Sequence, residues 1–124
     1  MLLAVAMGGA LGAVGRYWIM IQAGHLFGGH FPYGTLIVNV VGCFLLGALI
    51  ETVAVAWSVN QETQAFLVVG VLGAFTTFST FSMDVFFLVE RGQLLPAAVY
   101  VTASIMLSLL AFFAGLTVLR QVLT

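Results

Sequence analysis

The chain has 124 residues, 63% of them hydrophobic and 6% charged, with three cationic side chains, all arginine, against four acids. A soluble domain carries about 25% charged residues, so the composition excludes a water-soluble globule. Three arginines also exclude a nucleic-acid-binding surface.

A membrane-crossing helix needs about 20 apolar residues. Four such spans with short loops use the whole length. The expectation is an all-α membrane protein, one four-helix transmembrane domain over residues 1–124, with spans near 3–22, 33–55, 64–88 and 97–119. The N-terminus lacks a basic stretch and the first apolar run is long enough to span, so no cleaved signal peptide is expected.

The first span carries Gly8, Gly9, Gly12 and Gly15. Small residues four apart give a flat face for close helix contact. Arg16, beside Tyr17 and Trp18, is expected near the membrane edge, ahead of a loop at 24–33. There it either snorkels to an interface or guards the mouth of an anion route. His25 and His30 share that loop, but no Cys or acid completes a metal site.

The second span follows Pro32. Thr35, Asn39 and Cys43 recur every fourth residue and share one helix face. A carboxamide inside hydrocarbon is costly without a partner, so Asn39 either bonds another helix or serves an ion. Cys43, the only cysteine, reads as a small packing residue. Gly42 and Gly47 let another helix approach, and Glu51 is expected to reach water.

The third span carries Gly70-Val71-Leu72-Gly73-Ala74-Phe75-Thr76-Thr77-Phe78-Ser79-Thr80-Phe81-Ser82. Two glycines weaken the helix, and five hydroxyls compete for its backbone groups. The expectation is a third helix broken at the midplane, tolerable only where it is buried in protein or lines a cavity. Phe78 and Phe81, three apart, project to a common side. Asp84 follows one turn later. In the fourth span Tyr100, Ser104 and Ser108 form a polar stripe at intervals of four, and Arg120 closes the chain at an interface.

Four spans put both termini on one side. Arg120 and Arg91 fall on opposite sides, so the positive-inside bias is nearly balanced. That balance predicts dual topology: an antiparallel homodimer with the two breaks meeting on its axis.

No enzymatic motif and no phosphate loop is present. The polar groups inside the spans are hydroxyls, one amide and ring edges, which suit only a small ion or a proton. A phenyl ring has a positive edge, so Phe78 and Phe81 can donate aryl hydrogens to an anion. The carbonyls freed by the break suit a hard cation such as Na⁺, held structurally on the dimer axis.

Gly34-Thr35-Leu36-x-Val38-Asn39, followed by Gly73-x-x-Thr76-Thr77-Phe78-Ser79-Thr80-Phe81-Ser82, resembles the Fluc/CrcB fluoride channels, as does the glycine-rich first span ending Gly15-Arg16-Tyr17. The resemblance covers the whole chain. It implies a multi-pass protein of the bacterial inner membrane, a homodimer with two antiparallel pores and a central structural Na⁺. It implies passive, selective F⁻ export that keeps cytoplasmic fluoride low. By position, Phe78 and Phe81 are then the pore phenyls and Asn39 a fluoride donor. Ser79, Thr80, Thr35, Tyr100, Ser104 and Ser108 join the polar track, Gly73 and Thr76 give carbonyls to Na⁺, and Arg16 sits near a vestibule. Asp84 departs from the Glu often found in relatives, which weakens a vestibule role for that carboxylate.

The implied partners are fluoride, the lipid bilayer and a second copy of the chain. The alternative is a small proton-coupled multidrug-type transporter, which needs a membrane-embedded acid in the first span. This span has none.

Overall fold

The computed structural model covers residues 1–124 and is all-α, with four segments long and apolar enough to cross a membrane. The first helix runs Leu2–Phe27 and the second Tyr33–Val55. The third segment spans Gln61–Glu90 in two halves, and the last helix is Leu94–Leu123.

The first helix is longer than expected. Gly24 does not stop it. The stop comes at Gly28, whose φ of 77° is the left-handed conformation glycine adopts without a Cβ penalty, and whose N–H closes on the Gly24 carbonyl at 3.0 Å. Eleven residues therefore follow Arg16, about 16 Å of helix at 1.5 Å per residue. Arg16 lies at the middle of its helix rather than near an end, which corrects the sequence expectation.

The third segment begins at Gln61 because the Asn60 side chain caps it, accepting from the Thr63 N–H at 2.7 Å. Its N-terminal half, residues 61–75, is π-helical over Ala65–Leu72. The chain is extended at Thr76 and Thr77, and the C-terminal half, Phe78–Glu90, starts afresh. The break is real, but the glycines do not make it. Gly70 is buried against Gly8, where an added Cβ would lie 2.9 Å from the Gly8 Cα. Gly70 serves close approach of the first and third segments. Gly73 is still helical, with φ −63°.

The last helix begins at Leu94 and takes Pro96 into its first turn, where a missing N–H costs nothing. It packs along the second helix. Gly47 and Gly115 make that contact reciprocal. A methyl on Gly47 would strike the Phe112 carbonyl, and one on Gly115 the Phe44 carbonyl.

Only 15 of 124 residues are buried, so most side chains face outward. The core cluster is Phe81, Leu88, Ala97 and Tyr100. Glu51 belongs to the buried set rather than reaching water. Its carboxylate takes two bonds from Arg120, Nε to Oε1 at 3.2 Å and Nη2 to Oε2 at 3.3 Å.

Candidate functional site

The site is built around the break. Thr77 leaves the helical ladder, so its own N–H and C=O lose intrahelical partners. Asn39 supplies both: its Oδ1 accepts from Thr77 N–H at 2.8 Å and its Nδ2 donates to Thr77 O at 3.1 Å. One amide hydrogen of Asn39 remains uncommitted. The second helix can come this close because position 42 is glycine. A Cβ there would collide with the Thr76 methyl.

Thr77 also caps the helix that follows. Its hydroxyl accepts from Thr80 N–H at 3.1 Å and lies 3.3 Å from the Ser79 hydroxyl. The first amides of the C-terminal half form the positive end of a helix dipole, and the last carbonyls of the N-terminal half form a negative end. Two residues therefore separate an anion-favouring pole from a cation-favouring one.

The carbonyls at the negative pole are freed in a specific way. Thr77 N–H, which would close on Gly73 O in a continuous helix, goes to Asn39. Thr80 N–H, which would close on Thr76 O, goes to the Thr77 hydroxyl. Gly73 and Thr76 thus fit the role of oxygen donors to a hard cation. Between them, Ala74 O accepts from Arg16 Nε at 3.0 Å. Arg16 is half-buried at the break and lines neither of the two cavities described next.

A groove of about 320 Å³ runs past this break. It is lined by Asn39, Cys43, Thr76, Thr77, Phe78 and Phe81 on one side, and by Ser104 and Ser108 with Ile105 and Leu109 on the other. The Phe78 and Phe81 rings meet tilted at 41°, 5.5 Å between centroids, and Phe81 meets Tyr100 at 5.2 Å. Phe78 is 78% exposed and Phe81 9%. The hydroxyl oxygens of Ser104 and Ser108 are buried yet make no hydrogen bond. A buried hydroxyl without a partner is unusual, and both line the groove.

A second cavity, about 410 Å³, opens between the 28–34 connection and the end of the third segment. Thr35, Asp84, Glu90 and Arg91 line it. Tyr100, fully buried, donates its hydroxyl to Asp84 Oδ2 at 2.9 Å, and Phe31 meets the Tyr100 ring edge-on at 5.5 Å. Thr35 is 1% exposed, and its hydroxyl oxygen has no partner.

Of the residues expected from sequence, Asn39, Phe78, Phe81, Ser104 and Ser108 come together in the groove. Thr35 lines the other cavity, and Tyr100 lies between the Phe81 ring and Asp84. Ser79 and Thr80 do not line the groove. The Ser79 side chain is turned to the Thr77 hydroxyl, and the Thr80 amide takes part in the cap. Sequence reasoning missed Thr77 as the hinge, although Thr77-x-x-Thr80 carries the hydroxyl-first spacing of a helix cap. It also set Cys43 aside.

The family of CrcB-like proteins (Camphor Resistance, CrcB) matches residues 3–116 of this chain. A protein of Nitrobacter winogradskyi described as "Fluoride-specific ion channel FluC" is 49% identical over 98% of this chain and 96% of its own length. One of Rhodospirillum centenum with the same description is 52% identical over 97% and 95%. One of Nitrobacter hamburgensis, "Fluoride-specific ion channel FluC 1", is 46% identical over 96% and 94%.

Proposed function

Because this chain belongs to the CrcB-like family, we propose that it is a passive fluoride channel, a multi-pass membrane protein that lets F⁻ leave the cell. The observation that carries the reading is the groove itself. It joins a tilted phenyl pair, an amide with a spare hydrogen and two serine hydroxyls with no partner. Each can donate to a small anion. Aryl edges and hydroxyls are neutral, so they hold F⁻ loosely enough for exit. A potential negative inside drives an anion outward by about 2.3 kcal/mol per 100 mV, and no pumping group is required.

The functional unit is an antiparallel homodimer. The broken segment, with Phe78 mostly exposed, lies on an open face of the single chain. Irregular backbone at membrane depth needs protein or a cavity against it, and a second copy supplies both. The Gly73 and Thr76 carbonyls of two copies hold a structural Na⁺, whose positive charge lowers the cost of an anion nearby. The relatives are bacterial, and the site of action is the inner membrane.

A proton-coupled transporter is disfavoured by the first helix, which carries Arg16 and no acid. Purified protein in fluoride-loaded liposomes, read with a fluoride electrode, tests the channel. Rapid F⁻ loss with negligible Cl⁻ loss is expected. Retained fluoride in liposomes holding well-formed protein overturns it.

A further inference from the structure

We infer that Cys43 is a path-lining residue whose thiol forms a modifiable, soft-metal-binding site one helical turn beyond Asn39 in the groove. The inference rests on the channel reading above and extends it to a residue and a ligand class that reading does not include. Cys43 and Asn39 are four residues apart on one helix, about 6 Å along its axis, and both line the groove. Ser104 and Ser108 repeat that spacing on the last helix and line the same space.

The two rows line one groove. Cys43 is only half-buried, and it shares the groove lining with Ser108. A cysteine that merely filled a helix contact would be enclosed by apolar atoms. This one opens on a groove with a polar lining, where Ser104 is 6% exposed with its hydroxyl oxygen unpartnered. The polar row on the second helix therefore runs Asn39 to Cys43, and an ion moving from the phenyl pair toward Ser108 passes the thiol.

A thiol differs from the hydroxyls around it in softness. It binds Ag⁺ where hydroxyls do not. The step is R–SH + Ag⁺ → R–S–Ag + H⁺: the S–H bond breaks, the proton goes to water, the S–Ag bond forms, and nothing is oxidised or reduced. A silver ion held there narrows the groove and places a fixed cation where F⁻ must leave.

The test uses the reconstituted full chain in chloride-free, fluoride-loaded liposomes. Silver nitrate is added, and each variant is compared with its own untreated rate. Silver is expected to bring wild-type efflux down to the leak of protein-free liposomes. Efflux through Cys43→Ser and Cys43→Ala should not respond. Because the chain has one cysteine, a second measurement is clean: intact mass after a small methanethiosulfonate reagent reports whether the folded thiol reacts. A thiol that stays unreacted when folded but reacts when denatured overturns the inference. So does a labelled thiol with undiminished flux, or equal silver block in the serine and alanine variants. Those results leave the channel reading standing. Absence of efflux from untreated wild type refutes that reading and this one together.

Discussion

Asn39 holds the backbone of Thr77 by both of its polar groups, accepting at 2.8 Å and donating at 3.1 Å across 38 residues of sequence. The side chain substitutes for a strand of backbone at the point where the helix stops. Leaving a buried backbone group unpaired costs about 1–3 kcal/mol. Asn39→Ala is therefore expected to lower the unfolding midpoint of the purified protein and to abolish fluoride efflux. A variant with wild-type midpoint and wild-type flux would contradict this.

Phe81 lies between Phe78 and Tyr100, 5.5 and 5.2 Å from their ring centroids. Phe81→Ile keeps most of the bulk and removes the positive ring edge. Fluoride efflux should fall sharply while the protein stays folded and chloride stays excluded. Unchanged flux would show that the ring acts only as filler.

Arg16 donates through Nε to Ala74 O, on the carbonyl end of the N-terminal half. Hydrogen bonds to charged groups contribute about 1.5–3 kcal/mol. Arg16→Leu should lower the thermal midpoint, and Arg16→Lys should recover part of the loss, since a cation still meets that helix end. If flux falls in Arg16→Leu with the midpoint intact, the arginine serves the ion's route and not the break.

Exchange of Na⁺ for a bulky organic cation should loosen the proposed dimer, because the Gly73 and Thr76 carbonyls have lost their helical donors to Asn39 and Thr77. Size-exclusion chromatography of the detergent-solubilised protein checks this apart from flux. An elution position independent of Na⁺ would argue against the ion.

Gly47→Ala tests the packing. The added methyl meets the Phe112 carbonyl, which is backbone and cannot swing aside. Overpacking of this kind costs about 1–3 kcal/mol. Gly9→Ala, at a position with nothing within 4 Å, is the control and should be neutral.

The faces were legible in the sequence because helical spacing is local. The rows Thr35, Asn39, Cys43 and Tyr100, Ser104, Ser108 follow from intervals of four. The hydroxyl cluster at 76–82 announced an interrupted helix. What stayed hidden was pairing at long range. Nothing local to Glu51 signals Arg120, 69 residues later, so Glu51 reads as a group bound for water. Nothing local to Asn39 names Thr77.

Glycine misled for a related reason. A glycine that allows a bend and one that admits a neighbouring helix look alike in sequence. Gly70 and Gly73 suggested the break, yet Gly70 serves contact with Gly8. Gly24 suggested the end of the first helix, yet Gly28 is the one with positive φ. That single misreading displaced Arg16 from the middle of its helix to an edge.

The split at Thr76 and Thr77 sets opposite electrical poles side by side using peptide groups alone. The groove beside it contains no carboxylate, amine or imidazole. Its field is written into peptide dipoles, and the one lining side chain that can lose a proton, the Cys43 thiol, is already neutral in acid, so acidification adds no charge to the lining. A cell can meet a fall in external pH, when weak acids such as HF cross membranes most readily, with the lining of this groove electrically unchanged.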